Sequence, residues 1–243
     1  MITLFTVLGF GFILGLRHAT DADHVVAVTT ILGKHGKIRH SAIVGILWGI
    51  GHSITVTLVA IPIIFYSLVI PERLGNTLEF LVGAMLVLLG ILTLSGITKK
   101  ISEDSIPLTV HKHAHKSISG SDHSHFHLHA LNFLNHDLHH IGIFQIIRPI
   151  AVGLVHGLAG SAAVAILILS TIKNPVLSVF YLLIFHFGVI FGMMIITTLL
   201  GASIVLIKRK SEKIHKYLVI SSGILSLIFG IYIMYQTTLN LIS

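Results

Sequence analysis

The sequence contains no cysteine and little charge. Of its 243 residues only 10% are Asp, Glu, Lys or Arg, nine of them acidic. The missing thiols exclude disulfides, thiolate metal sites and thiol redox chemistry. Soluble domains carry about 25% charged residues, so the shortage of charge excludes an ordinary water-soluble fold. No G-x4-G-K-[ST] stretch is present, which removes a phosphate-cradling loop and with it nucleotide hydrolysis. No H-E-x-x-H exists either, and no glutamate stands deep in an apolar run; the nearest, Glu79, opens one. The first basic residue is Arg17, so no positively charged leader of the secretory kind is expected. What is present is apolar: 54% hydrophobic residues and a mean hydropathy of +0.94. Composition alone therefore indicates a membrane protein.

About 20 apolar residues cross the hydrocarbon core as a helix. Six apolar segments meet that need, at residues 2–32, 41–70, 76–97, 145–171, 175–207 and 215–240. The net charge of +7 does not indicate nucleic acid here, because the basic residues lie in the connections. Twelve of the 16 Lys and Arg, from Lys34 to Lys216, fall on the side of the first, third and fifth connections, against Arg73 and Lys173 on the other. Basic loops stay in the cytoplasm. The third connection, within residues 98–144, is then cytoplasmic and both termini face outward. That connection holds ten of the chain's 18 histidines, between His111 and His140. Their alternate spacing in "HKHAH" and "HSHFHLH" suits a flexible chelator.

The chain also repeats itself. "LGLRHATDADHVVAV" aligns with "VGLVHGLAGSAAVAI", matching Gly15, Leu16 and His18 to Gly153, Leu154 and His156 at an offset of 138. A repeat of three spans must invert its second copy across the membrane, a plan that puts a transporter's site near the midplane. The expected fold is an all-α polytopic membrane protein of six transmembrane helices with a 3+3 inverted repeat. Residues 1–97 form the first three-helix unit, 98–144 the histidine-rich cytoplasmic loop and 145–243 the second unit.

The first segment carries "RHATDADH", Arg17 to His24, inside an otherwise apolar run. Each Asp or Arg at a helix centre costs about 2.5–3.5 kcal/mol on insertion scales, so such groups need partners or a wet cavity. On a regular helix His18, Asp21 and His24 share a stripe about 120° wide, and Asp23 joins only if the helix is broken. Two imidazoles and a carboxylate form a ligand set suited to nickel, cobalt, zinc or iron and poorly suited to copper(I). Arg17 and Asp21, four apart, could instead neutralise each other. His52 in "WGIGHSITVT", His156 in "GLVHGLAGSAA" and His186 in "IFHFGVIFG" are the other intramembrane candidates. Small neighbours such as Gly49, Gly51 and Gly157 let helices touch.

"RHATDADHVVAV" resembles the hallmark of the nickel/cobalt transporter (nickel/cobalt permease) family, H-x4-D-H, on His18, Asp23 and His24. "GIGHSITVTL" resembles that family's second-helix stretch at His52 and Ser53. The fourth segment departs from the larger permeases and is similar to a shorter branch near urease-accessory membrane proteins. The resemblance implies metal recognition by the H-x4-D-H residues. The expected metal set is His18, Asp21, Asp23, His24, His52, His156 and His186, with no catalytic residue and no resident cofactor. Arg17 would orient a carboxylate. The cargo is Ni2+ or Co2+, with Zn2+ as a further candidate. The expected partners are that ion, the lipid bilayer and a cytoplasmic metal-accepting protein, with no nucleic acid. Uptake by alternating access leads the readings. The rivals are efflux through the same fold, an intramembrane zinc-dependent hydrolase and a metal-binding accessory or sensor without transport.

Overall fold

A computed structural model describes residues 2–32, 38–66, 68, 71–96, 143–157, 171–172 and 174–242. The histidine-rich segment lies outside them but for its last two positions, as do Ala159 to Ala163 beyond His156. The described residues form seven helices: α1 Ile2–His18, α2 Ala22–Leu32, α3 Ile38–Tyr66, α4 Glu72–Leu94, α5 Ile143–His156, α6 Pro175–Lys210 and α7 Glu212–Ile242. Four of them, α3, α4, α6 and α7, are long and apolar enough to cross a bilayer.

The first apolar segment is not one helix. Its backbone leaves the i→i−4 ladder after His18: Thr20 N–H donates to Arg17 O at 2.8 Å and Asp21 N–H to His18 O at 3.1 Å. These tighter i→i−3 turns end α1. Asp21 O then accepts from Val25 N–H and opens α2. At 11 residues, α2 is about 16 Å long. That is too short to cross, and most of its side chains are buried.

The halves of the chain interlock. α1 lies parallel to α6, with Gly15 against the Phe185 carbonyl and Gly188 against the Phe12 carbonyl. α5 lies parallel to α3 in the same manner, with Gly153 against the Trp48 carbonyl and Gly51 against the Ile150 carbonyl. Thr55 Oγ1 adds a hydrogen bond to Leu154 O at 2.8 Å. Any side chain at Gly15 or Gly153 would collide with those carbonyls, so close approach demands glycine at both. α3 and α6 cross antiparallel, Gly45 meeting Met193 and Gly49 meeting Ile190. α4 and α7 also run antiparallel, pairing Gly83 with Gly230 and Gly90 with Gly223. Between those pairs Ser226 Oγ donates to Leu86 O at 2.7 Å. Helices in lipid associate through such small-residue contacts and a few hydrogen bonds, because apolar burial gives them little.

Between their polar ends, the remaining surface of α6 and α7 is largely apolar, with Leu183, Phe187, Leu199, Ile228, Ile231 and Tyr235 all exposed. In water this would be an aggregation surface; against acyl chains it is the expected outer wall. α6 begins at an Asn174 cap whose side chain accepts from Val176 and Leu177 N–H. It runs 36 residues to Lys208, Arg209 and Lys210. That is about 54 Å, longer than the hydrocarbon core of about 30 Å, so its basic end projects beyond it.

Candidate metal centre

The break between α1 and α2 faces the ends and middles of other helices. His18 is the last residue of α1, Asp23 and His24 stand in the first turn of α2, and His156 is the last residue of α5. His52 lies midway along α3. His24, His52 and His156 are completely buried, and His18 is 5% exposed. Two groups of ligand-type atoms each gather within 4.8 Å: His18, His24 and His52 in one, and Asp23, His24 and His156 in the other.

The carboxylates organise these rings. Asp21 Oδ2 accepts from His18 Nδ1–H at 2.9 Å. Asp23 accepts twice, from His24 Nδ1–H at 3.1 Å and from His156 Nε2–H at 2.8 Å. A neutral imidazole has one N–H and one lone pair. With its proton on Nδ1, His18 offers its Nε2 lone pair, and that atom meets His52 Nε2 at 3.0 Å. His52 must then donate from Nε2 and keep its lone pair on Nδ1. The nitrogens left over, His24 Nε2, His52 Nδ1 and His156 Nδ1, are buried and without a hydrogen-bond partner. A buried polar atom without a partner is costly. Here the three belong to side chains whose opposite edges are fixed. Carboxylate–imidazole pairs of this kind orient ligands in metal sites and raise their basicity.

Helix ends add to the field. α1 and α5 terminate at the cluster, and a helix C-terminus carries about half a negative charge, which favours a cation. Asp21 and Asp23 in turn sit at the N-terminus of α2, where that end's partial positive charge favours carboxylates. The donor set of imidazole nitrogen and carboxylate oxygen suits borderline divalent ions, nickel, cobalt and zinc among them.

The structure therefore brings together His18, Asp23, His24, His52 and His156. Asp21 lies outside both groups and touches the cluster through His18. His186 belongs to neither group, although it too is buried and its Nε2 has no hydrogen-bond partner. Its neighbour Phe185 lies against the His18 ring, at 5.9 Å between centroids. Arg17 does not orient a carboxylate: it is exposed and forms no ion pair with either aspartate. The broken backbone, rather than an arginine, brings Asp23 round to the cluster. One neighbour was not foreseen. Trp48, the chain's single tryptophan, is fully buried and stacks on His24, with 6.0 Å between centroids and 17° between planes. It also meets His156 edge-on at 5.6 Å. Its place one helical turn before His52 was the available signal.

Apolar helices closing around a largely buried cluster of imidazoles and carboxylates define a polytopic membrane protein with a cation-type ligand set at its centre. The chain belongs to the high-affinity nickel-transport protein family (NicO), whose family model matches residues 4–211. The family is one of transporters, not of enzymes. The chain is also 34% identical over 235 residues to the urease accessory protein UreH of Bacillus sp. (strain TB-90), covering 97% of this chain and 93% of that one. No solved structure matches.

Proposed function

We propose that this protein takes up Ni2+, and Co2+ as a second cargo, by alternating access. In this reading His18, His24, His52, Asp23 and His156 receive the ion, and Asp21 holds His18 in its ligating tautomer. His186 would serve the ion on its way in or out. The observation that carries the reading is the convergence of two helix ends, at His18 and His156, on one buried ligand cluster. Transporters place their sites at such discontinuous helices.

The reading includes a 3+3 inverted repeat of residues 1–97 and 145–243 around the histidine-rich segment. It is supported by the matched contacts of Gly15 with Phe185 and Gly153 with Trp48. The antiparallel course of α4 and α7 supports it too, since inverted copies of one helix must run in opposite directions. Under the basic-loop rule the histidine-rich segment and the Lys208–Lys210 end are cytoplasmic and both termini lie outside. The segment would buffer the arriving ion before a metal-accepting protein takes it. The relative's name, urease accessory protein, makes urease maturation the destination to test.

The test is uptake of radioactive nickel into proteoliposomes by the unaltered protein and by His18→Ala, with cobalt and zinc as competitors. Saturable uptake that cobalt competes and His18→Ala abolishes supports the reading; absence of uptake with metal binding intact overturns it. The histidine-rich segment favours one second reading, efflux of metal gathered in the cytoplasm. Expression would then protect cells from nickel, where uptake sensitises them. Membership of a transport family gives the hydrolase reading no support.

A further inference from the structure

We infer that the ion occupies two adjacent positions in turn, the first formed by His18, His24 and His52 and the second by Asp23, His24 and His156, with His24 common to both. This rests on the transport reading above and specifies the path inside it.

Three observations lead to two positions rather than one. His24 is the single residue shared by the two ligand groups. Its two nitrogens are differently engaged: Nδ1 faces Asp23 at 3.1 Å, while Nε2 is buried and unpartnered. The ring can therefore present Nε2 to the first group and Nδ1 to the second. Finally, a neutral imidazole has one N–H and one lone pair, so the His24 ring, which lies 4.7 Å from His18 and 4.3 Å from His156 between centroids, can ligate at one position or the other and not at both. Occupancy is then sequential.

The transfer is a ligand exchange with no redox step. At the first position Asp23 is not a ligand; it accepts N–H bonds from His24 and His156 and positions both rings. For the ion to move, its bonds to His18, His52 and His24 Nε2 break and bonds to the Asp23 carboxylate, His156 and His24 Nδ1 form. The ring protons that faced Asp23, on His24 Nδ1 and His156 Nε2, move to the opposite nitrogens, which the structure leaves without partners. The number of bound protons is unchanged, and Asp23 passes from hydrogen-bond acceptor to ligand. Each position draws on one helix end, His18 of α1 or His156 of α5, so a rocking motion that favours one end over the other would drive the exchange.

A double-mutant cycle on the purified full-length protein tests this, with Ni2+ alone as the probe and equilibrium dialysis as the readout. If two positions exist, His52→Gln and His156→Gln each leave one intact and weaken binding by less than about tenfold. The double variant loses more than about a hundredfold, beyond the product of the single losses. Both single variants bind nickel yet lose uptake, because each interrupts the exchange. Losses that multiply, or a single variant as impaired as the double, would mean one shared site and overturn the inference. His18→Asn and His156→Asn form a second cycle, one position each and with a different replacement, so that misfolding in one pair leaves the other to decide. If the synergy appears but the unaltered protein moves no nickel, the two positions stand and the transport reading fails. Transport with multiplicative losses leaves transport standing and removes the relay.

Discussion

Asp21 and Asp23 differ by two positions in sequence and by role in space. Asp21 is more exposed, with 39% of its side chain accessible against 13% for Asp23, and touches only His18 among the cluster's rings. Removing its charge while keeping its shape should therefore weaken metal binding without abolishing it. Asp21→Asn acts through His18 alone and is expected to lower nickel affinity by less than about tenfold, no more than loss of the first position does, as read by equilibrium dialysis. Trp48 supplies a second residue-scale expectation. As the chain's single tryptophan, lying on His24, it should lose fluorescence when Ni2+ or Co2+ enters the cluster. His24→Ala should remove the metal-dependent change while leaving the tryptophan emission of the metal-free protein. The histidines were legible in the sequence because an imidazole in an oily run has few reasons to be there. Trp48 was not, since a tryptophan in an apolar helix is compatible with any packing role. Helical geometry put Asp21 on the stripe and Asp23 off it; the break after His18 rotates α2 and reverses their standing.

That break is the element-scale lesson. The apolar run at 2–32 left open whether its helix is broken, because hydropathy counts side chains and cannot register a change from i→i−4 to i→i−3 bonds. The segments at 41–70, 76–97, 175–207 and 215–240 were found to within about four residues at each end, since turn signals such as Asn174-Pro175 mark real caps. The repeated glycines were legible as sites of close approach, but their partners were not, because tertiary contacts leave no local pattern. Those contacts give unequal mutational effects. Gly153→Val drives a branched side chain into the Trp48 carbonyl. It should cost at least the roughly 1–3 kcal/mol typical of overpacking and disturb nickel binding through α3. Ser226→Ala deletes one hydrogen bond between α4 and α7. Its cost should be near 0.6 kcal/mol, the mean for such bonds in membranes, with nickel binding untouched. Thermal unfolding in detergent compares the two, and a larger effect at Ser226 would refute the assignment of tight packing to α3 and α5.

At the scale of the whole molecule, the absence of cysteine makes topology directly measurable. Single cysteines can be added without removing any. Ser211→Cys, between α6 and α7 at the basic end, should react with an impermeant maleimide only after the membrane is opened. Asn174→Cys, at the other end of α6, should react in intact cells. The opposite labelling would reverse the orientation proposed from the basic loops and place the histidine-rich segment outside.

The interlocking of the two halves has a consequence in time. Asp23 and His156, which share a hydrogen bond in the finished molecule, are 133 positions apart in the chain. A ribosome adding roughly 5–20 residues per second makes the second of them some 7–27 s after the first. During that interval α2 to α4 are completed one after another, while α6 and α7, which bury glycine faces of α1, α3 and α4, do not yet exist. The carboxylate and imidazoles of the first half must spend those seconds with water, with one another or with the insertion machinery as temporary company. The order of synthesis, and not only the final fold, therefore bears on whether this centre is built.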